Sequence, residues 1–144
     1  RAAGRYMVDG HPAGIQNIRQ PMFVVGTERD HVAPWRSVYK IHYLADTDVT
    51  FVLTSGGHNA GIVSEPGHAN RSFRVALKRE GDPCLGADEW ADAAARKAGS
   101  WWTEWADWLV AHSTPERSGP PSMGAPKNGL PSVCDAPGTY VLQK

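Results

Sequence analysis

Apolar positions cluster in short runs separated by turn-forming residues, and the clearest sequence of runs lies between Pro21 and Gly61. Met22-Phe23-Val24-Val25 is a compact apolar run closed by Gly26, which predicts a buried strand. The polar turn Gly26-Thr27-Glu28-Arg29-Asp30-His31 follows, with an acid at its tip. Pro34 suits the first position of a helix, where its missing N–H costs nothing. Val38, Ile41 and Leu44 or Ala45 then recur at helical spacing and give that helix one apolar face. Val49 to Leu53 predicts a second strand, followed at once by Thr54-Ser55-Gly56-Gly57-His58. Two strands joined by a helix should be parallel neighbours with a right-handed crossover. Both turns then open at the carboxyl edge of the sheet, where sites gather in such folds. Asp30 and His58 are therefore expected to meet in space.

The flanks are weaker. Tyr6-Met7-Val8 predicts a brief extended segment in a Gly- and Pro-rich opening, and His11 is read as an exposed loop residue. Tyr39, His42 and Tyr43 lie on the central helix, packed or facing solvent. Ile62 and Val63 extend an apolar patch until Ser64-Glu65-Pro66-Gly67 turns the chain. Phe73, Val75 and Leu77 alternate like a strand within an otherwise irregular stretch from 68 to 86. Ala87 to Ala98 reads as one helix, acidic at its start and basic at its end as the macrodipole prefers, and ended by Gly99. Ser100 is expected to cap a further helix, with Glu104 in a shifted capping arrangement. Trp101, Trp105 and Trp108 share one face of it, flanked by Trp102 and Leu109. Such a stripe suits a partner or lipid surface, but the buried side of a docked helix is the commoner use and the one favoured here. From Ser113 to Gly138 the chain is rich in Pro and Gly without apolar period, so it should wander over a surface or be disordered. Tyr140-Val141-Leu142 is expected to pin the end. The resulting division is 1–112 for the α/β part and 113–144 for a surface tail of the same domain.

Composition adds exclusions. Lys plus Arg number 15 and Asp plus Glu 15, so the formal net charge is zero and no basic stripe stands out. Nucleic acid and anionic membranes are poor partners for such a surface. No apolar run is long enough to cross a bilayer as a helix, and no signal-peptide pattern opens the chain. It begins with Arg1 and reads like a piece of something longer. The two cysteines, Cys84 and Cys134, stand far apart without CxxC spacing; nothing requires a disulfide, and a reducing compartment is the simpler expectation. P-loop, GxGxxG and EF-hand patterns are missing. Asp30, His58 and His68 lack the paired spacing of metal ligands.

An acid and then a histidine, each just past a parallel strand, form the second half of a nucleophile–acid–histidine triad in the chain order of α/β-hydrolases. The acid fixes the imidazole tautomer so that the other ring nitrogen can take a proton from the nucleophile. Glycines at 56 and 57 allow the sharp turn that aims the ring. A nucleophile is harder to place. Cys84, in Asp82-Pro83-Cys84-Leu85-Gly86, lacks the earlier elbow glycine and follows the acid and the histidine. Cys134 lies in the tail, and Ser55 is too close to His58 in the same turn. The expected nucleophile lies upstream of Arg1.

Gly26-Thr27-Glu28-Arg29-Asp30-His31-Val32-Ala33-Pro34-Trp35 closely resembles the G-S/T-x-x-D-H-I-x-P-W segment of polyhydroxyalkanoate synthases. Gly57-His58-Asn59-Ala60-Gly61-Ile62 is similar to their G-H-I-A-G-V segment, and Gly99-Ser100-Trp101-Trp102 with Trp105, Trp108 and Leu109 to their G-S-W-W-x-x-W-x-x-W-L helix. Ala136-Pro137-Gly138-Thr139-Tyr140-Val141 resembles their terminus. The resemblance runs from about Gly4 to the end and is nearest the single-subunit synthases. It implies the carboxyl-terminal portion of an α/β-hydrolase fold: the last parallel strands and helices of an incomplete sheet, a Trp-rich helix and an irregular tail. It further implies an acyltransferase with a Cys nucleophile that polymerises 3-hydroxyacyl-CoA. His58 would be the base and Asp30 its holder, Asp30 also being implicated in activating the attacking 3-hydroxyl. No cofactor is implied, coenzyme A being part of the substrate and leaving group. The implied partners are the growing polyester chain, the granule surface and, in the whole protein, a second copy as a homodimer; the implied location is cytoplasmic, at granules. His31 matches the motif residue beside the acid and is read as supporting the turn. Asn59 departs from the usual aliphatic residue, and Ser64-Glu65-Pro66 from N-P-P. A Ser-dependent depolymerase or esterase of the same fold, and a non-catalytic module docking through its Trp face, are the alternatives.

Overall fold

A computed structural model describes residues 6–144. They fall into two compact units that divide between Ser113 and Thr114. The first opens with a hairpin of β1 (Met7–Val8) and β2 (His11–Pro12), turned by Asp9 and Gly10, both at positive φ. Asp-Gly is the favoured pair for such a two-residue turn, and its twist draws His11 into a strand rather than a loop, though still exposed.

The main sheet is mixed. β3 (Met22–Thr27) and β4 (Val49–Thr54) are parallel, as expected, in the register Met22–Val49 through Thr27–Thr54. β5 (Ser72–Lys78) and β6 (Arg96–Ala98) then add antiparallel, giving the order β3-β4-β5-β6. The expected run of parallel strands thus stops at two. The segment from Ser55 to Arg71 holds no crossover helix, so the chain returns along β4 instead of crossing back.

The crossover between β3 and β4 is two helical turns, α1 (Trp35–Val38) and α2 (Ile41–Leu44). Pro34 sits just before the first of them, with ψ of 128°, and its carbonyl accepts the N–H groups of Ser37 and Val38. The buried side is Trp35, Tyr39, His42 and Ala45, while Leu44 and Tyr43 face out. α3 (Ala87–Ala93) is shorter than its propensity suggests. Ala94 takes an extended conformation, and Arg96–Ala98 pair with β5, so a ladder outcompetes three more helical residues. Arg96 and Lys97 reach Glu28 and Glu104 instead of a helix terminus. α4 (Trp102–Ala111) follows. Ser100 Oγ accepts the Trp102 N–H at 3.0 Å, and Glu104 is taken by Lys97 rather than by a cap.

Both faces of the sheet are covered. Phe51 and Leu53 pack with Trp35, Tyr39, Trp90 and Ala94 on one face. Val52 and Phe73 pack with Trp101 on the other, joined by Phe23, Val25 and Trp102. Two-sided burial explains why β4 reads as a mostly apolar run, with Thr50 its one interruption before Thr54, instead of a strict alternation. The tryptophan stripe divides: Trp101 is buried, Trp102 and Trp108 are half-buried, and Trp105 and Leu109 are exposed. Ile62 and Val63, expected in an apolar patch, are exposed as well.

The second unit holds β7 (Gly124–Ala125) paired with β8 (Leu130–Pro131) and short 3-10 turns at Pro126–Asn128 and Tyr140–Leu142. No residue of it is buried among the described residues, and Tyr140, Val141 and Leu142 are exposed rather than pinned. Cys84 and Cys134 are free thiols, both exposed. No helix among the described residues is long and apolar enough to cross a membrane.

Candidate active site

Thr27 and Thr54 are register partners at the ends of β3 and β4, so the two following loops start side by side at one sheet edge. Backbone bonds keep them together: Glu28 N–H donates to Thr54 O and Arg29 N–H to Gly56 O, both at 2.9 Å. The first loop delivers Asp30 and the second His58. His58 Nδ1 lies 2.9 Å from Asp30 Oδ2.

The Asp30 side chain is only 8% exposed, and its carboxylate is fully engaged. Oδ1 accepts the backbone N–H groups of Val32 and Ala33, each at 2.8 Å, which bends the chain into the turn ahead of Pro34. Oδ2 accepts the Thr27 hydroxyl at 3.3 Å as well as His58. These donors hold the Asp30 carboxyl down at about 2: the Ala33 N–H counts most and is partly opposed by burial, with His58 and the Val32 N–H adding to the lowering. An ionised carboxylate can only accept, so the His58 proton sits on Nδ1 and the lone pair on Nε2. The His58 side chain is 46% exposed, so the ring is within reach of a reactant.

Gly56 and Gly61 make the close approach possible. Gly56 has φ of +111°, and a Cβ there would meet the Gly61 backbone at 2.9 Å. A Cβ on Gly61 would lie 2.5 Å from Thr27 Cγ2. The loop carrying His58 is thus pressed onto the strand end that carries the acid.

The remaining sequence candidates make no bond to this pair. His31 is exposed beside Asp30, and His11 is in the hairpin. His68 Nδ1 pairs with Glu65 at 2.9 Å, and no group of three potential metal-ligating side chains occurs among the described residues. Ser55 Oγ accepts the Ser72 N–H at 3.1 Å and serves the sheet edge. Two contributions escaped the sequence reading. The Thr27 hydroxyl is one. The other is a trio of donors onto the His58 loop: Trp101 Nε1–H to Gly61 O at 3.0 Å, Trp102 Nε1–H to Ile62 O at 2.9 Å, and the Ser100 hydroxyl to Ser64 O. A buried indole needs an acceptor, and that rule was the available signal.

No family model matches the chain. Among curated proteins it is 35% identical over 142 residues to poly(3-hydroxyalkanoate) polymerase 2 of Ectopseudomonas oleovorans, a match covering 95% of this chain and 23% of that protein. It is 36% identical over 145 residues to a poly(3-hydroxyalkanoate) polymerase of Methylorubrum extorquens, covering 99% of this chain and 23% of the relative. A third, the polymerase subunit PhaC of Cupriavidus necator, is 29% identical over 144 residues, covering the whole chain and again 23% of the relative. The chain therefore spans less than a quarter of the length of these relatives, and along nearly its whole length it is similar to poly(3-hydroxyalkanoate) polymerases.

Proposed function

We propose that this chain is the carboxyl-terminal part of the catalytic domain of a polyester synthase, an α/β-hydrolase-fold acyltransferase whose triad takes its acid and base from Asp30 and His58. The thiol nucleophile would come from another segment of the longer protein. The observation that carries this reading is the 2.9 Å contact between Asp30 and His58 at the shared edge of two parallel strands. The names of the relatives support a polymerase over a Ser-dependent hydrolase.

In the proposed cycle His58 Nε2 takes the thiol proton, and the thiolate adds to the carbonyl of a 3-hydroxyacyl-CoA. The carbonyl–sulfur bond to coenzyme A then breaks, and the departing thiolate takes the proton from the imidazolium. Cysteine suits this exchange because the leaving thiol resembles the attacking one. For elongation, a 3-hydroxyl gives its proton to His58 and its oxygen attacks the acyl–Cys thioester. A carbon–oxygen bond forms, the carbon–sulfur bond breaks and the Cys thiolate recovers the proton. Asp30 acts through His58 in both halves. Its oxygens already hold two backbone N–H groups, a hydroxyl and the imidazole, which argues against a separate role as base for the 3-hydroxyl. Coenzyme A enters as part of the substrate, so the cycle needs no cofactor. The whole protein would work as a homodimer at polyester granules in the cytoplasm.

The test uses the longer protein that contains this segment, assayed for coenzyme A release from a 3-hydroxyacyl-CoA. Asp30→Asn keeps an oxygen for the Val32 and Ala33 turn but loses the charge; it should lower kcat by roughly 10³- to 10⁴-fold. His58→Gln should do at least as much, and His31→Gln little. Full polymer yield from both the Asp30 and His58 variants would instead favour a docking role.

A further inference from the structure

We infer that Ser100, Trp101 and Trp102 are positioning residues for His58, acting as a three-pronged clamp on the loop that carries it. This rests on the catalytic reading of the Asp30–His58 pair for its consequence, though not for its geometry. Three consecutive side chains donate to three carbonyls within four residues of one another. Trp101 takes Gly61 O, Trp102 takes Ile62 O and Ser100 takes Ser64 O. The Trp101 and Ser100 bonds are buried, so losing either strands a carbonyl away from water.

The clamp reaches the acid too. The Trp101 ring stacks on Phe23 of β3, with centroids 6.2 Å apart and planes at 27°. The carbonyl that Trp101 holds belongs to Gly61, which leaves no room for a Cβ beside Thr27, and Thr27 donates to Asp30. The route Trp101, Gly61, Thr27, Asp30, His58 therefore closes a ring in which strand, acid, histidine and loop fix one another. His58 itself is exposed and held by one side-chain bond, so its ring position depends on the loop beneath it. The start of helix α4 and the two residues before it then act as a brace on the His58 loop.

The variants are Trp101→Phe, Trp102→Phe and Ser100→Ala, each in the longer protein. Phe keeps an aromatic ring against Phe23 but has no N–H. Trp105→Phe is the control, because Trp105 is exposed on the same helix and makes no bond to the His58 loop. Two readouts separate positioning from bulk stability. One is the split between kcat and KM for the acyl-CoA; the other is the downfield proton resonance of His58 Nδ1–H on Asp30, assigned by its loss in Asp30→Asn. With the melting temperature near that of the control, Trp101→Phe and Trp102→Phe should lower kcat roughly 10- to 100-fold at unchanged KM. The resonance should broaden or vanish in both. Ser100→Ala, the smallest change, should show the same direction if the tryptophan variants fail to fold. Wild-type kcat and resonance in all clamp variants that fold would overturn the inference. So would equal effects from Trp105→Phe. If Asp30→Asn and His58→Gln retain activity, the catalytic reading falls, while the resonance still decides whether the clamp positions the ring.

Discussion

His42 shows how one side chain can set the acid limit of this fold. It is 4% exposed, packed on Tyr39 at 4.4 Å and Phe51 at 5.5 Å between ring centroids, and neither ring nitrogen has a partner among the described residues. Burial, with Lys78 adding, pushes its pKa from 6.5 down to about 4. The unfolded chain then binds the proton first, so stability falls as pH drops from about 6.5 towards 4 and is fully present above that window. Asp30 acts lower: its carboxyl, held at about 2 against an ordinary 3.8, withdraws its contribution as pH falls from about 3.8 to 2. The two windows are separable. Thermal melts of the longer protein between pH 7 and 4.5 should lose stability in the wild type, and His42→Phe should flatten that slope while leaving the lower step in place. An unchanged slope in the variant would remove His42 as its cause.

At the scale of elements, helix α3 matters through a single face. Trp90 meets Phe51 edge-on at 5.0 Å and Tyr39 at 5.6 Å, and it is 6% exposed, whereas Trp105 on α4 is 41% exposed. Trp90→Ala should cost about 3–5 kcal/mol by leaving a cavity, and Trp105→Ala within roughly 1 kcal/mol; denaturant midpoints of the longer protein would compare them. The elements that carry the site were the most legible in the sequence. Met22 to Val25 and Val49 to Leu53 are apolar runs ended by glycine or polar turn residues, and their parallel pairing follows from the helical spacing between them. That pairing alone brings Asp30 and His58 to one edge. The misread elements share a physical cause, namely competition from distant partners. Arg96–Ala98 has helical propensity, yet the open edge of β5 offers three ladder residues and Glu28 offers Arg96 an ion pair. Ser100 does cap locally by accepting the Trp102 N–H, but its hydroxyl also reaches across to Ser64 O, which local propensity does not show. Propensity describes neighbours in the chain, and these contacts span 22 to 68 residues.

The whole chain raises the question of what covers its open side. β3 pairs with β4 along one edge, and no strand pairs with its other edge among the described residues. It is six residues of mostly apolar strand without Pro or Lys, the kind of edge that templates association. The antiparallel side ends on the three-residue β6, which presents Arg96 and Lys97 and is therefore blunted. Trp105, Leu109 and Val110 leave further apolar surface on α4, and the unit from Thr114 to Lys144 buries no residue that could compensate by its own core. In relatives of which this chain spans under a quarter, a neighbouring parallel strand on β3 would satisfy the edge, and its carboxyl end would open at the same rim as Asp30 and His58, where the proposed triad needs its nucleophile. The isolated 144-residue chain should accordingly elute as aggregates and unfold without a cooperative transition. Supplying the segments that precede this one in a longer protein as a separate chain should recover solubility. A monomeric elution with a sharp melt would mean that the four strands and their two helical layers are sufficient in themselves, and that the edge of β3 is not where the missing part joins.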